Sequence, residues 1–257
     1  MSNYTKDITL VIGDAHVDAK QASTKRGLRR FEHLNQYILD TMPNRIVIIG
    51  DFVTLDSLSA WDRDKRKKME LRRYFKDIEA GNKALDLMLA NVPRDIELVY
   101  IMGNHEDRLD RYLDKDPTFD GAVDLVTDLD LVGRGFTRII DYKKYYTHKG
   151  VGFTHVPIME NGKGVSGKYA TSRALDCTDF SVVFGHTHKL DTACVHRHGA
   201  KHLQQALNVG CFFEHIDEYA VGSVTSYWRG IVELDHYSYG RVDITTTSIG
   251  KLQRMYK

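Results

Sequence analysis

Three apolar runs in the first half of the chain each end in a glycine followed by a residue able to bind a metal. These are Gly13-Asp14, Gly50-Asp51 and Gly103-Asn104, with His16 and His105 close behind. Two later runs end in His155 and in Gly185-His186-Thr187-His188. One histidine at a strand end is more often a hydrogen-bonded structural residue, so the repetition in similar places is what gives the set meaning. Carboxylate, imidazole and carboxamide donors together suit manganese, iron or zinc, with nickel or cobalt as further alternatives, better than calcium or magnesium. Two such ions bring four positive charges. Asp14 and Asp51 return two, a bridging hydroxide a third, and the charge left over attracts an anionic phosphate. A paired site also acidifies water and clamps the attacking and leaving oxygens of a phosphate ester. Hydrolysis of a phosphate ester is the chemistry these residues fit.

The elements that must position them alternate. Strands are predicted over Ile8–Ile12, Arg45–Ile49 and Glu97–Met102, with helices over about Arg26–Asp40 and Ser57–Ala90 between them. That β-α-β-α-β order implies parallel strands joined by crossover helices. Reactive residues collect beyond the carboxyl ends of such strands. The second half is richer in strands: Tyr145–Thr147 and Val151–His155 turn at Lys149-Gly150, and Ser181–Phe184, Leu203–Val209, Ser223–Leu234 and Arg241–Thr247 follow. Their β-branched and aromatic content carries that reading. Tyr169–Asp176 is a predicted helix.

The 257 residues are expected to form one domain, 1–257, since the sequence has no repeat, linker or low-complexity tract. A net charge of +1 gives no global field to recruit nucleic acid or membrane. No apolar run reaches the roughly 18 residues of a membrane span, and the start shows no signal-peptide pattern. Cys177, Cys194 and Cys211 are far apart in sequence, without the close pairs of a metal site, and read as buried thiols in a reducing compartment. A cytoplasmic location is expected.

Taken in order, Gly13-Asp14-Ala15-His16, Gly50-Asp51, Gly103-Asn104-His105-Glu106, His155 and Gly185-His186-Thr187-His188 resemble the signature motifs of calcineurin-like metallophosphoesterases. Asn208-Val209-Gly210-Cys211 resembles the Asn-Pro-Gly-Ser turn that often follows them. The compact length is similar to that of stand-alone members found in bacteriophage genomes. The resemblance implies an α/β, four-layer αββα sandwich: two mixed β-sheets flanked by helices, with a dinuclear metal site at one sheet edge. It implies Asp14, His16 and His188 on one metal, Asn104, His155 and His186 on the other, and Asp51 bridging. His105 would protonate the leaving oxygen. One departure stands out. Where many relatives read Gly-Asp-x-x-Asp-Arg, this chain reads Gly50-Asp51-Phe52-Val53-Thr54-Leu55. Asp18, Asp56 or Glu106 are candidates to replace the carboxylate that orients the acid histidine, and Arg108 or Arg111 to replace the arginine.

Other features compete for attention. Gly162-Lys163-Gly164-Val165-Ser166-Gly167-Lys168 approaches a P-loop, but Tyr169 stands where the magnesium-binding hydroxyl belongs. Lys163 and Lys168 are instead candidates for a basic loop against substrate phosphate, or for a solvated turn. A run of cations from Arg63 to Lys76, on the predicted helix, is either a solvated face or a contact for a phosphate backbone. His196, His198 and His202 flank a predicted hairpin at Gly199 and read as surface residues. The favoured substrate is a phosphodiester of DNA or a nucleotide, making the chain a nuclease or phosphodiesterase. A phosphomonoesterase, acting on nucleotides or proteins, is the alternative, and an inactive binding scaffold the reading from another class. The oligomeric state is left open.

Overall fold

The computed structural model describes residues 6–24, 26–214 and 226–257. Along the chain run β1 (Ile8–Ile12), α1 (Ala19–Ala22), α2 (Arg29–Thr41), β2 (Arg45–Ile48), α3 (Arg66–Met69), α4 (Tyr74–Leu89) and β3 (Glu97–Ile101). Next come α5 (Arg108–Leu113), α6 (Leu125–Asp128), β4 (Phe136–Ile140), β5 (Tyr146–His148), β6 (Val151–Phe153) and α7 (Ala170–Asp176). The remainder is β7 (Ser181–Phe184), β8 (Leu190–Val195), β9 (Gln204–Val209), β10 (Gly230–His236), β11 (Val242–Ser248) and α8 (Ile249–Met255).

The strands form two mixed sheets, ordered β11-β10-β1-β2-β3-β4 and β5-β6-β7-β9-β8. The first four strands run parallel, as do β6, β7 and β9. Antiparallel strands complete the edges. Alternation along the central strands explains why they read as continuous apolar runs. In β1 to β3, Leu10, Ile12, Ile46, Ile48, Leu98 and Tyr100 face α2 and α4. Their neighbours Val11, Val47, Val99 and Ile101 face the second sheet, meeting Phe153, Val183 and Leu207. On that sheet's far side Val182, Phe184 and Ala206 pack against Ala170 and Ala174 of α7. Every central strand residue therefore meets a core, and the layers stack αββα.

The cationic run is where the predicted elements fail. Instead of one helix from Ser57, the chain makes a four-residue α3 that buries nothing, then breaks at Leu71, whose φ is 66°. Regular helix returns at Tyr74, where Ile78, Ala80, Ala84, Leu85 and Met88 give α4 a buried face. A helix without an apolar stripe lacks the packing that would sustain it. Edge strands β4 and β8, and helices α5, α6 and α8, have no counterpart among the predicted elements. The expected Ser223–Leu234 strand is found as β10, shifted later; residues 223–225 lie outside those described. Of the three thiols only Cys211 is buried. Cys194 is exposed because it sits on the outer face of edge strand β8, and Cys177 is half-buried at the end of α7. Among the described residues no helix is long and apolar enough to cross a membrane.

At the sheet edges away from the strand carboxyl ends, a polar network ties the layers together. His148 Nε2 lies 2.7 Å from Asp7 Oδ2, Lys149 reaches the same oxygen at 2.7 Å, and Arg45 stands 3.5 Å from Asp7. His236 Nε2 pairs with Thr9 Oγ1 at 2.8 Å, and its ring meets that of His148 edge-on. Burial first, and then the neighbouring His148, push His236 down to about 4. Below about pH 6.5 the unfolded chain therefore takes up a proton that the folded chain refuses until about pH 4. Stability from this group is lost as pH falls through that window, by up to about 3 kcal/mol. Urea unfolding at pH 7 and pH 4.5, with chelator present, should show His236→Gln losing about that much less than the wild type. Equal losses would move the acid response to other groups.

Candidate metal centre

The site lies at the carboxyl ends of β1, β2 and β3 in one sheet and of β6 and β7 in the other. Four residues in three of its turns are held in the left-handed region: His16 at φ 46°, Asp51 at 49°, His186 at 68° and His188 at 60°. Such backbone costs on the order of 1–3 kcal/mol per residue and persists where surroundings enforce it. Here the enforcement is visible. Ala15 and His16 donate their N–H groups to the Asp51 carbonyl, both at 3.0 Å, hanging the first loop on the second. The His105 N–H donates to Asp51 Oδ1 at 2.8 Å, and the His186 N–H to Asp14 Oδ1 at 3.0 Å. Two of the signature glycines are explained by space. A Cβ on Gly103 would overlap the Asp51 carboxylate and backbone nitrogen, and one on Gly185 would overlap Asp14 Oδ1.

Glu106 is the clamp beneath these loops. Its Oε2 accepts from the N–H groups of Asp51 and Gly103, each at 2.8 Å. Oε1 accepts from Phe52 at 2.8 Å, Val53 at 3.2 Å and the Tyr100 hydroxyl at 3.1 Å. Burial first, then the charge of Asp51, push this carboxyl up to about 7. Arg30 performs the converse task for carbonyls. From inside α2 it donates to Phe212 O at 2.8 Å, Ala15 O at 3.0 Å and Gly27 O at 2.6 Å. Burial lowers it to about 10, which leaves it charged at neutral pH. Arg30 is absent from the candidates that the sequence suggests; its one sequence signal is a cation beside Phe31 on the apolar face of a helix. Asn208, near the carboxyl end of β9, donates Nδ2 to Thr187 Oγ1 and so braces the loop between His186 and His188.

The side chains converge in overlapping groups. Ligand atoms of Asp14, His16 and His188 lie within 4.8 Å of one another, as do those of Asp51, His155 and His186. A further group joins His16, Asp51 and His105. Asn104 Oδ1 is 3.0 Å from His155 Nε2. The donor chemistry fits cations. His155 Nδ1 donates to Ile49 O at 3.0 Å, which in the neutral ring leaves a lone pair on Nε2. That lone pair faces Asn104 Oδ1 and, at 3.4 Å, Asp51 Oδ2. Three acceptors meet with no donor between them, so a proton or a cation must stand there. Burial opposes the proton, yet Asp51 and its neighbours raise His155 to about 10. In the other group His188 Nε2 lies 3.0 Å from Asp14 Oδ2, and His16 Nε2 lies 4.0 Å from the same oxygen. Burial also opposes ionisation of Asp14, and the adjacent histidines, His188 foremost, outweigh it and hold its pKa below the ordinary range.

None of the three carboxylates considered for orienting His105 touches it. Asp18 caps α1 by accepting from Gln21 N at 2.6 Å, Asp56 pairs with arginines, and Glu106 is committed to the backbone. The orienting acceptor is the Thr54 carbonyl, 2.8 Å from His105 Nδ1, a partner with no side-chain signature. Arg108 takes the cation's place. From α5 it reaches Thr54 O at 2.7 Å and Asp56 Oδ1 at 3.2 Å, and its Nη2 is 3.1 Å from His105 Nε2. Arg111 turns instead to the Asn104 carbonyl and Asp107.

A cleft of about 1410 Å³ opens over the centre. His16, Asp51, Asn104, His105, His186, His188 and Arg108 line it, while Asp14 and His155 lie behind, fully buried. The cleft continues along the cationic segment, past Lys67, Lys68, Arg73 and Lys76. Lys163 and Lys168 do not line it. Their loop closes on itself through the Ile158–Gly164 bridge, and the Lys168 ammonium sits over the Tyr169 ring. His196 and His198 are exposed, and His202 stacks on Tyr239.

The sequence model of calcineurin-like phosphoesterases matches residues 9–190. The chain belongs to that family. The match begins in β1 and ends in β8, so it spans every turn that carries a candidate ligand of this calcineurin-like phosphoesterase. No curated protein sequence matches the chain. Similar solved structures include Vps29 from Chaetomium thermophilum, 11% identical over 94% of this chain and 97% of that one, with a TM-score of 0.45. A dimetal phosphatase from Danio rerio is 12% identical over 95% and 99%, with a TM-score of 0.42.

The clamp yields a direct test. In Glu106→Gln the amide would present hydrogens to N–H groups that need an acceptor. Hydrogen bonds to a charged group are worth about 1.5–3 kcal/mol each, so unfolding free energy should drop by roughly 3 kcal/mol or more. Bound metal per chain, measured by elemental analysis, should fall with it although no proposed ligand is altered. Unchanged stability and metal content would show that the loops hold without the clamp.

Proposed function

We propose that this calcineurin-like phosphoesterase is a metal-dependent hydrolase that holds two divalent cations, manganese first among the candidates, and cuts phosphodiesters of DNA or nucleotides. Asp14, His16 and His188 would hold one cation, Asn104, His155 and His186 the other, with Asp51 between them. The chemistry such a pair supplies when bound is charge withdrawal from phosphate oxygens and acidification of water. The rest falls to the chain. Buried Asp14 and Asp51 keep the centre's residual charge small. The ring of Phe213, 5.0 Å from His16 and 5.1 Å from His188, walls off one side from solvent. His105 holds its ring against the Thr54 carbonyl and directs Nε2 towards Asp51 and Arg108. It can give a proton to a leaving oxygen once Arg108 has exchanged that nitrogen for the phosphate. Free thiols throughout fit a reducing, cytoplasmic setting.

The observation that carries the diester reading is the continuity of the cleft with its cationic wall. A small phosphate needs only the centre, whereas a polyanion running past it needs charges farther out. Arg108 favours the second reading, a phosphomonoesterase, because a guanidinium beside His105 can grip a terminal phosphoryl group.

Replacing Lys67, Lys68, Arg73 and Lys76 together with Gln should weaken DNA cleavage and flatten its salt dependence. The log–log slope should fall by about 0.7–0.9 for each phosphate that is no longer neutralised. Hydrolysis of a small chromogenic diester, assayed with manganese, should survive. A wild type that leaves DNA intact and readily dephosphorylates nucleoside monophosphates would hand the case to the monoesterase.

His105→Ala should slow hydrolysis by roughly 100- to 10,000-fold while metal content holds. The penalty should shrink for esters with good leaving groups, which need little protonation. Equal slowing across leaving groups, or loss of metal, would remove His105 from the acid role.

A further inference from the structure

Trp61 has no part in the chemistry above, yet it lines the same cleft with its side chain 87% exposed. Leu71, 71% exposed, lines the cleft too. The turn that presents Trp61 is built. Its neighbour Asp62 accepts from Lys65 Nζ at 2.7 Å and Arg72 Nη1 at 3.0 Å, and the Asp62 N–H donates to Ser59 O. Arg72 also stands 3.8 Å from the Asp56 carboxylate. An indole on a pinned turn, among Lys67, Lys68, Arg73 and Lys76, offers both halves of what a nucleotide needs: a flat apolar face and cations for phosphate. In a duplex the faces of the bases are already stacked and closed to an indole. Away from a duplex end, only an unpaired base can lie on Trp61.

We propose that Trp61 is a stacking platform for an unpaired base, and that the polynucleotide held along this cleft is single-stranded. The proposal rests on the phosphodiesterase reading for the direction in which the strand runs, from Trp61 towards the candidate metal centre. Its binding claim is tested separately from hydrolysis.

The experiment uses the purified full chain and short fluorescent strands with phosphorothioate linkages, so that they survive an anisotropy titration. Four probes are compared: a DNA strand, an RNA strand of the same sequence, an abasic strand of equal length, and a blunt duplex. The wild type should bind a base-bearing strand roughly 5- to 100-fold more tightly than the abasic one. Trp61→Ala should erase that preference while leaving affinity for the abasic strand unchanged, and Trp61→Phe should keep most of it. The duplex should bind no better than the abasic strand. DNA and RNA arms distinguish which sugar is accepted, and a base preference in either supports the platform. Tightest binding to the duplex, or equal weakening on base-bearing and abasic strands in Trp61→Ala, would overturn it. Loss of chromogenic diester hydrolysis in Trp61→Ala would do so as well, because the indole would then serve the centre and not a base. A wild type that shows the base preference but hydrolyses no diester would sink the phosphodiesterase reading and leave the platform standing.

Discussion

The interaction on which the rest depends is the grip of the Glu106 carboxylate on the N–H groups of two adjacent loops. Where β2 and β3 end, their ladder stops, but the backbone is still buried and its donors need acceptors. One side chain meets four of them: Asp51, Phe52, Val53 and Gly103. With the loops fixed, Asp51 can offer its carbonyl to the first loop and its carboxylate to the centre. Arg30 completes the scheme from the other side, an embedded cation receiving the carbonyls of Ala15 and Phe212. An anion collects donors and a cation collects acceptors, and the candidate ligands stand between. The left-handed turns at His16, Asp51, His186 and His188 are tolerable only because this lattice leaves them no alternative.

Much of this is legible in the sequence, for a physical reason. Strands buried on both faces must be apolar throughout, so Ile8–Ile12 and Ser181–Phe184 announce themselves, and a polar residue straight after them is conspicuous. Where a single face is buried the signal fades. Phe136–Ile140 and Leu190–Val195 are edge strands whose polar and small residues give no clear sign of a strand. The segment from Arg63 to Lys76 misleads because its helix-forming residues say nothing of what they would pack against. Among the described residues α3 buries none of its own, and the chain turns at Leu71 instead, placing its cations along the cleft.

The partners of the candidate site are harder to read than its members. Thr54 supports His105 through a backbone carbonyl, which any residue at that position could supply. Arg30 and Glu106 are charged residues doing buried work, a role that composition and spacing hide. Arg108 is a candidate through its nearness in sequence to the third motif, and it does meet His105. Lys163 and Lys168 are candidates on the same footing and do not line the cleft. Proximity along the chain is the same kind of evidence in both cases, and the geometry separates them.

The candidate ligands are divided between the sheets. Asp14, His16, Asp51 and Asn104 leave the first, and His155, His186 and His188 leave the second. Each of the two groups proposed to hold a cation therefore draws on both layers, and on stretches of chain more than a hundred residues apart. A cation in either place would add a cross-link between halves already joined at that edge by the hydrogen bonds from His186 N–H to Asp14 and from His155 to Ile49 O. The closure is reversible and set by mass action: a free ion at a hundred times its dissociation constant would add about 2.7 kcal/mol to folding. Metal supply in the surroundings would then govern not just whether the centre can act but how long the molecule lasts.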